Sequence, residues 1–195
     1  MRLKQCLWIL AAGAVFAACQ QPGKTAAADD TQQETAGLPS SLSPEFYDSL
    51  KLAMSAYYQL SGALVKADTQ AADIAAAALK YHLDSLPVAR LEVDSTRKGI
   101  LLGSAGDIAA ELNGMLIEKG GLEARRTSFK MVSDQLYDLL QNTGLKGGTV
   151  YRQHCPMAFG DRGAYWLSDN AEILNPYFGD EMLHCGSVTD TLRFQ

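Results

Sequence analysis

The chain has 195 residues, 47% of them apolar and 20% charged, with 17 basic against 22 acidic side chains for a net charge of −5. An acidic chain without a basic stripe argues against nucleic acid as a partner, because that affinity depends on Lys and Arg neutralising phosphates. The length suits one domain with a sizeable core, once any leader is set aside.

Arg2 and Lys4 form a short basic start, followed by an 11-residue apolar run from Cys6 to Phe16. A helix of that length does not span a bilayer, which takes about 20 residues. Phe16-Ala17-Ala18-Cys19 resembles a bacterial lipoprotein signal, which implies removal of residues 1–18 and lipidation of Cys19. The alternative is an ordinary secretory signal that ends near a cysteine. Loss of Arg2 and Lys4 with no acidic residue takes the net charge from −5 to −7. The expected location is the cell envelope, periplasm-facing, with the membrane engaged only through the lipid. Residues 19–42, rich in Gln, Thr, Ala, Asp and Ser, read as the lipidated cysteine and a disordered tether. Residues 43–195 then form a single domain.

Four helical patterns open that domain. Ser43 caps the first, with Pro44 in its first turn and Phe46, Leu50, Met54, Tyr57, Leu60 and Leu64 along one face. The second runs from about Asp68 to Ser85, with Ile74, Ala75, Ala78, Leu79, His82 and Leu86 on one side and Pro87 as its stop. The third opens near Asp94 or Ser95, carries Leu101, Ala105, Ile108, Leu112 and Met115, and stops at Gly120-Gly121. The fourth carries Phe129, Val132, Leu136, Leu139 and Leu140 and ends at Gly144. Short connections favour antiparallel neighbours. The expected fold is therefore mainly α, an antiparallel four-helix bundle followed by a small irregular C-terminal part, residues 148–195, with short β-strands. Thr149-Val150-Tyr151, Tyr165-Trp166-Leu167 and Val188 to Phe194 are the candidate strands, with a turn at Gly160 to Gly163.

The chemistry concentrates in that last part. His154-Cys155-Pro156-Met157 and Met182-Leu183-His184-Cys185 bring thiol, thioether and imidazole into two short clusters. If the first cluster is extended, Cys155 and Met157 share a side and His154 faces away. If the second is a helical turn, Met182 and Cys185 share a face. Cys155, Met157, Met182 and Cys185 then form a four-sulfur set suited to Cu(I) or Ag(I), with His154 and His184 in support. The competing reading is a Cys155–Cys185 disulfide, which an oxidising compartment favours. The two readings are alternatives in redox state, since only the reduced pair could hold a metal.

The remaining candidates are packing residues. His82 reads as a core histidine, Met54 and Met115 as core, and Trp166, Tyr177 and Phe178 as cover for the cysteine region. Asp161 and Arg162 read as a solvated turn. No nucleophile elbow, phosphate loop or His-Glu metalloprotease motif occurs, so the expected protein is not an enzyme.

The string Cys155-Pro156-Met157-Ala158, Gly163-Ala164-Tyr165-Trp166-Leu167-Ser168, Ile173-x-Asn175-Pro176-Tyr177-Phe178-Gly179 and Met182-Leu183-x-Cys185-Gly186 resembles the family called domain of unknown function 3347. Leu83-x-x-Leu86-Pro87 and Arg126-x-x-Phe129-x-x-Val132-Ser133 fit it too, so the resemblance covers about residues 43–192. It implies a secreted or lipid-anchored helical domain, related to domains at the C-terminal end of periplasmic adaptor subunits of copper and silver efflux systems. The expected role is to sequester Cu(I) or Ag(I), or to pass it to an efflux adaptor or another envelope protein. Under the disulfide reading the chain is instead a non-enzymatic interaction module.

Overall fold

A computed structural model describes residues 42–118 and 120–195. The expected signal at 1–18, the expected lipidation site Cys19 and nearly all of the expected tether lie outside the described residues. Leu42, placed in the tether by composition, is buried, and its N–H donates to the Tyr47 hydroxyl (3.1 Å).

Four long helices come first: α1 (Pro44–Val65), α2 (Thr69–Asp84), α3 (Ser95–Ile117) and α4 (Gly121–Thr143). Their starts follow from local hydrogen bonding. Ser43, Asp68 and Asp94 each accept from the backbone N–H three residues on, relieving donors that have no partner within the helix. Pro44 sits at the first position of α1, where its missing N–H costs nothing. Gly144 ends α4 at φ 69°, and its N–H returns to Leu140 O. Each helix packs on the next in sequence, and α1 also touches α4.

The core faces of α1, α3 and α4 are those that the periodicity marks: every apolar residue named for them above is buried. The α2 face is different. Ala75, Leu79 and Leu86 are buried as that face predicts, but Ile74 is 66% exposed, and Ala72, Ala76 and Leu83 complete the inner side. Three of the five buried α2 residues are alanines, and the larger Ile74 is turned out. His82 is half-buried, its ring edge-on to that of Tyr81. Arg125 on α4 ties to Asp73 on α2 through two parallel hydrogen bonds of 2.7 Å, the strong fork geometry of guanidinium and carboxylate.

A three-stranded antiparallel sheet follows, in the order β2-β1-β3, built from β1 (Gly148–Cys155), β2 (Ala164–Ser168) and β3 (Ser187–Phe194). β1 is longer than Thr149-Val150-Tyr151 and runs through Cys155. It pairs with β2 from Tyr151↔Ser168 to Cys155↔Ala164, and with β3 from Gly148↔Phe194 to His154↔Ser187, with a register shift at Arg152/Gln153. β2 is an edge strand, and two tyrosine hydroxyls cover its open side. The Leu167 N–H donates to the Tyr57 hydroxyl of α1, and the Tyr177 hydroxyl donates to Tyr165 O. Burial pushes both hydroxyls well above the usual tyrosine pKa.

Candidate functional site

Strand register brings the two cysteines together. Cys155 is the last residue of β1, and β3 begins at Ser187, opposite His154. Cys185, just upstream of β3, therefore lands beside Cys155. The Sγ atoms are 3.0 Å apart, and both are free thiols. Cys155 is fully buried and Cys185 partly so. Its hydrogen bond with Cys155, followed by burial and by repulsion from a Cys155 thiolate, holds the Cys185 thiol above its ordinary pKa.

The segment that carries Cys185 is fixed by Asn175, itself fully buried. Its side-chain N–H donates to Cys185 O (2.8 Å), its side-chain oxygen accepts from the Tyr177 N–H (2.8 Å), and its backbone N–H donates to Leu183 O (2.8 Å). Gly186 adds a steric condition. At φ 144°, a Cβ there would lie 2.8 Å from His154 O and 2.9 Å from the Trp166 ring. Gln153 completes the clamp by donating from Nε2 to Asn170 O and Glu172 O, which leaves its buried Oε1 without a partner among the described residues.

Met157 follows a different course. Pro156 ends the strand rather than extending it. Met157 turns to φ −86°, ψ −11°, so the alternation that would set it beside Cys155 does not apply. Its side chain is 48% exposed and lines a groove to which neither cysteine contributes. Met182 follows the short 3-10 turn Gly179–Glu181, is half-buried, and accepts the Cys185 N–H at its carbonyl (3.0 Å). His154 stacks at a tilt on Tyr165, ring centroids 4.3 Å apart, and leans toward Gly163. His184 is exposed. Its Nδ1 lies 2.9 Å from Ile173 O, and since a carbonyl only accepts, that nitrogen carries a proton and donates. Among the described residues, no group of three or more His, Cys, Asp and Glu could hold a metal ion.

Two features escape the sequence reading. Arg152 on β1 lies between the rings of Tyr137 and Tyr165, 4.0 Å from each centroid, with the Asp134 carboxylate 3.8 Å away. Tyr137 in turn donates to Asp190 on β3 (2.5 Å), which locks α4 to the far strand. The second is a run of left-handed backbone at Phe159 (φ 54°), Gly160 (φ 66°) and Asp161 (φ 62°), directly after Met157-Ala158. Each non-glycine residue in that region costs about 1–2 kcal/mol.

The sequence profile of one family, described as a protein of unknown function (DUF3347), matches residues 53–148. The matched span begins within α1 and ends where β1 begins, so it is narrower than residues 43–192 and leaves both cysteine clusters outside. No curated protein and no solved structure matches the chain.

Proposed function

With residues 53–148 placing this chain in the DUF3347 family, whose function is unknown, we propose that the protein is a non-enzymatic envelope module closed by a Cys155–Cys185 disulfide. The observation that carries this reading is the 3.0 Å approach of the two thiols. A disulfide needs the sulfurs to close to about 2.05 Å, a small movement for Cys185 at the end of a turn. The sequence reading supplies the setting: a signal over residues 1–18, a lipid on Cys19, a tether, and an oxidising compartment in which such a bond persists. The helical part is read as an antiparallel four-helix bundle, supported by the in-order packing of α1 to α4 and their short connections. The module docks on an envelope protein and carries out no catalysis.

The reduced pair supports a second reading, that of a protein which binds Cu(I) or Ag(I) and holds it or passes it to an efflux adaptor. Two thiolates on one tetrahedral ion at about 2.3 Å would sit roughly 3.8 Å apart, so the pair would have to open rather than close. Met157 lies on another groove, so Cys155 and Cys185 would be the principal ligands, with Met182, His154 and His184 nearby in sequence. Non-reducing mass spectrometry of the full chain, alkylated at once on release from the envelope, separates the two. A mass lower by two hydrogens and resistant to alkylation fits the disulfide. Two alkylated thiols would overturn it, and an anaerobic Cu(I) titration with and without Cys155→Ser and Cys185→Ser then tests the metal.

A further inference from the structure

The groove beside Met157 has a volume of about 290 Å³ and lies between the start of α4 and the segments on either side of β2. Its walls are Met157, Phe159, Tyr177 and Phe178, and its charged members are Arg126 and Glu123. Arg126 is 8% exposed. Its Nε donates to Pro176 O (3.0 Å) and its Nη1 to Glu123 (2.7 Å), while Nη2 has no hydrogen-bond partner among the described residues. Gly179 is held close to that amino group, since a Cβ there would lie 3.5 Å from it and 2.5 Å from Val65 O. The Glu123 side chain is 77% exposed. A buried cation is thus matched by an acid that rests mostly in water and gains little by staying. The left-handed run at Phe159–Asp161 sets Phe159 across from Tyr177, ring centroids 5.4 Å apart. Strained backbone of this kind persists where a site needs its geometry.

We propose that this groove binds a small monocarboxylate with an apolar body, the carboxylate displacing Glu123 from Arg126 and the body lying on Met157, Phe159 and Phe178. The volume is at the lower end for small-molecule sites, of the size for a short organic acid. The guanidinium fork offers a carboxylate two parallel donors once Glu123 has left, and a charge-assisted pair of that kind is about twice as strong as a neutral one. Binding is independent of the redox state of Cys155 and Cys185, because neither lines the groove.

The test is calorimetric titration of the full-length chain with 3-phenylpropionate, with its neutral amide, and with a tripeptide ending in free-acid phenylalanine. The expected result is saturable binding of the acid and roughly tenfold weaker binding of the amide. Glu123→Gln should tighten the acid several-fold by removing its competitor, a gain that misfolding cannot imitate. Arg126→Met should abolish it, with circular dichroism reporting whether the fold survives. Equal binding of acid and amide, no gain in Glu123→Gln, or binding of the tripeptide without the free acid would each overturn the proposal.

Discussion

Tyr57 in α1 and Leu167 in β2, 110 positions apart, are joined by a hydrogen bond of 2.9 Å from the Leu167 N–H to the tyrosine hydroxyl. The same hydroxyl lies 2.7 Å from Ser133 Oγ, which donates on to Phe129 O. One oxygen thus serves the first helix, the last helix and the outward side of an edge strand. Unpaired N–H groups on such an edge are costly when buried and sticky when exposed.

Tyr57→Phe should therefore destabilise the protein by about 1–3 kcal/mol, the cost of leaving a buried donor unpaired. Ser133→Ala should cost a comparable amount, about 1–3 kcal/mol: Ser133 Oγ donates to Phe129 O, so the buried Tyr57 O–H is the donor between the two and loses its acceptor. Urea midpoints of the two variants check both losses, and an unchanged midpoint in Tyr57→Phe would mean that the strand edge does not depend on Tyr57.

Three glycines in the C-terminal part are conformational requirements with different neighbours. At Gly179 and Gly186, a Cβ would press on backbone oxygens at 2.5 Å and 2.8 Å, whereas at Gly160 it would meet open space. Gly160→Ala should cost only the left-handed strain, about 1–2 kcal/mol. Gly179→Ala and Gly186→Ala add a backbone shift and should cost roughly 3 kcal/mol or more. Thermal melts of the three single variants would show the separation.

Helix limits were legible because they are local. Ser43, Asp68 and Asp94 bond to N–H groups three residues away, and such patterns are written in consecutive letters. The inner face of α2 was legible in part: Ala75, Leu79 and Leu86 are buried as marked, while Ile74 pointed to the outer side of an alanine-rich segment. The strands were legible as segments, while their order β2-β1-β3 and the resulting meeting of Cys155 with Cys185 depend on register across distant segments. Pro156 misled in a specific way. It can stiffen an extended run or end one, and here it ends one, which separates Met157 from the alternation of β1. Arg126 was visible as part of a motif, but its bond to Pro176 lies 50 residues on and left no local trace.

The reduced protein should show a pH signature at Cys185. Its thiol pKa is raised by the hydrogen bond with Cys155, by burial and by the neighbouring sulfur's charge. The folded state thus holds this proton more tightly than the unfolded chain, whose cysteines titrate near about 8.5. The stability it contributes is complete below that value and is lost as pH rises through the folded value. Alkylation, which needs the thiolate, should accordingly reach half its plateau rate at a higher pH than for an exposed cysteine in a peptide. A midpoint at or below the peptide's would show that the pair does not hold the proton.

Oxidation should then be the larger effect. Closing the loop between Cys155 and Cys185, 30 residues apart in sequence, is worth about 3–4 kcal/mol in the chain-entropy model. For a domain of this size that corresponds to a rise of roughly 10 °C in the melting temperature of the oxidised over the reduced chain. Replacing the cysteines one at a time separates the bond from the packing. Cys185→Ala, at a partly exposed position, should melt close to the reduced wild type. Cys155→Ala empties a fully buried position and should melt lower still. If the oxidised and reduced chains melt together while both variants melt lower, the thiol pair acts through packing alone, and the disulfide has no structural role.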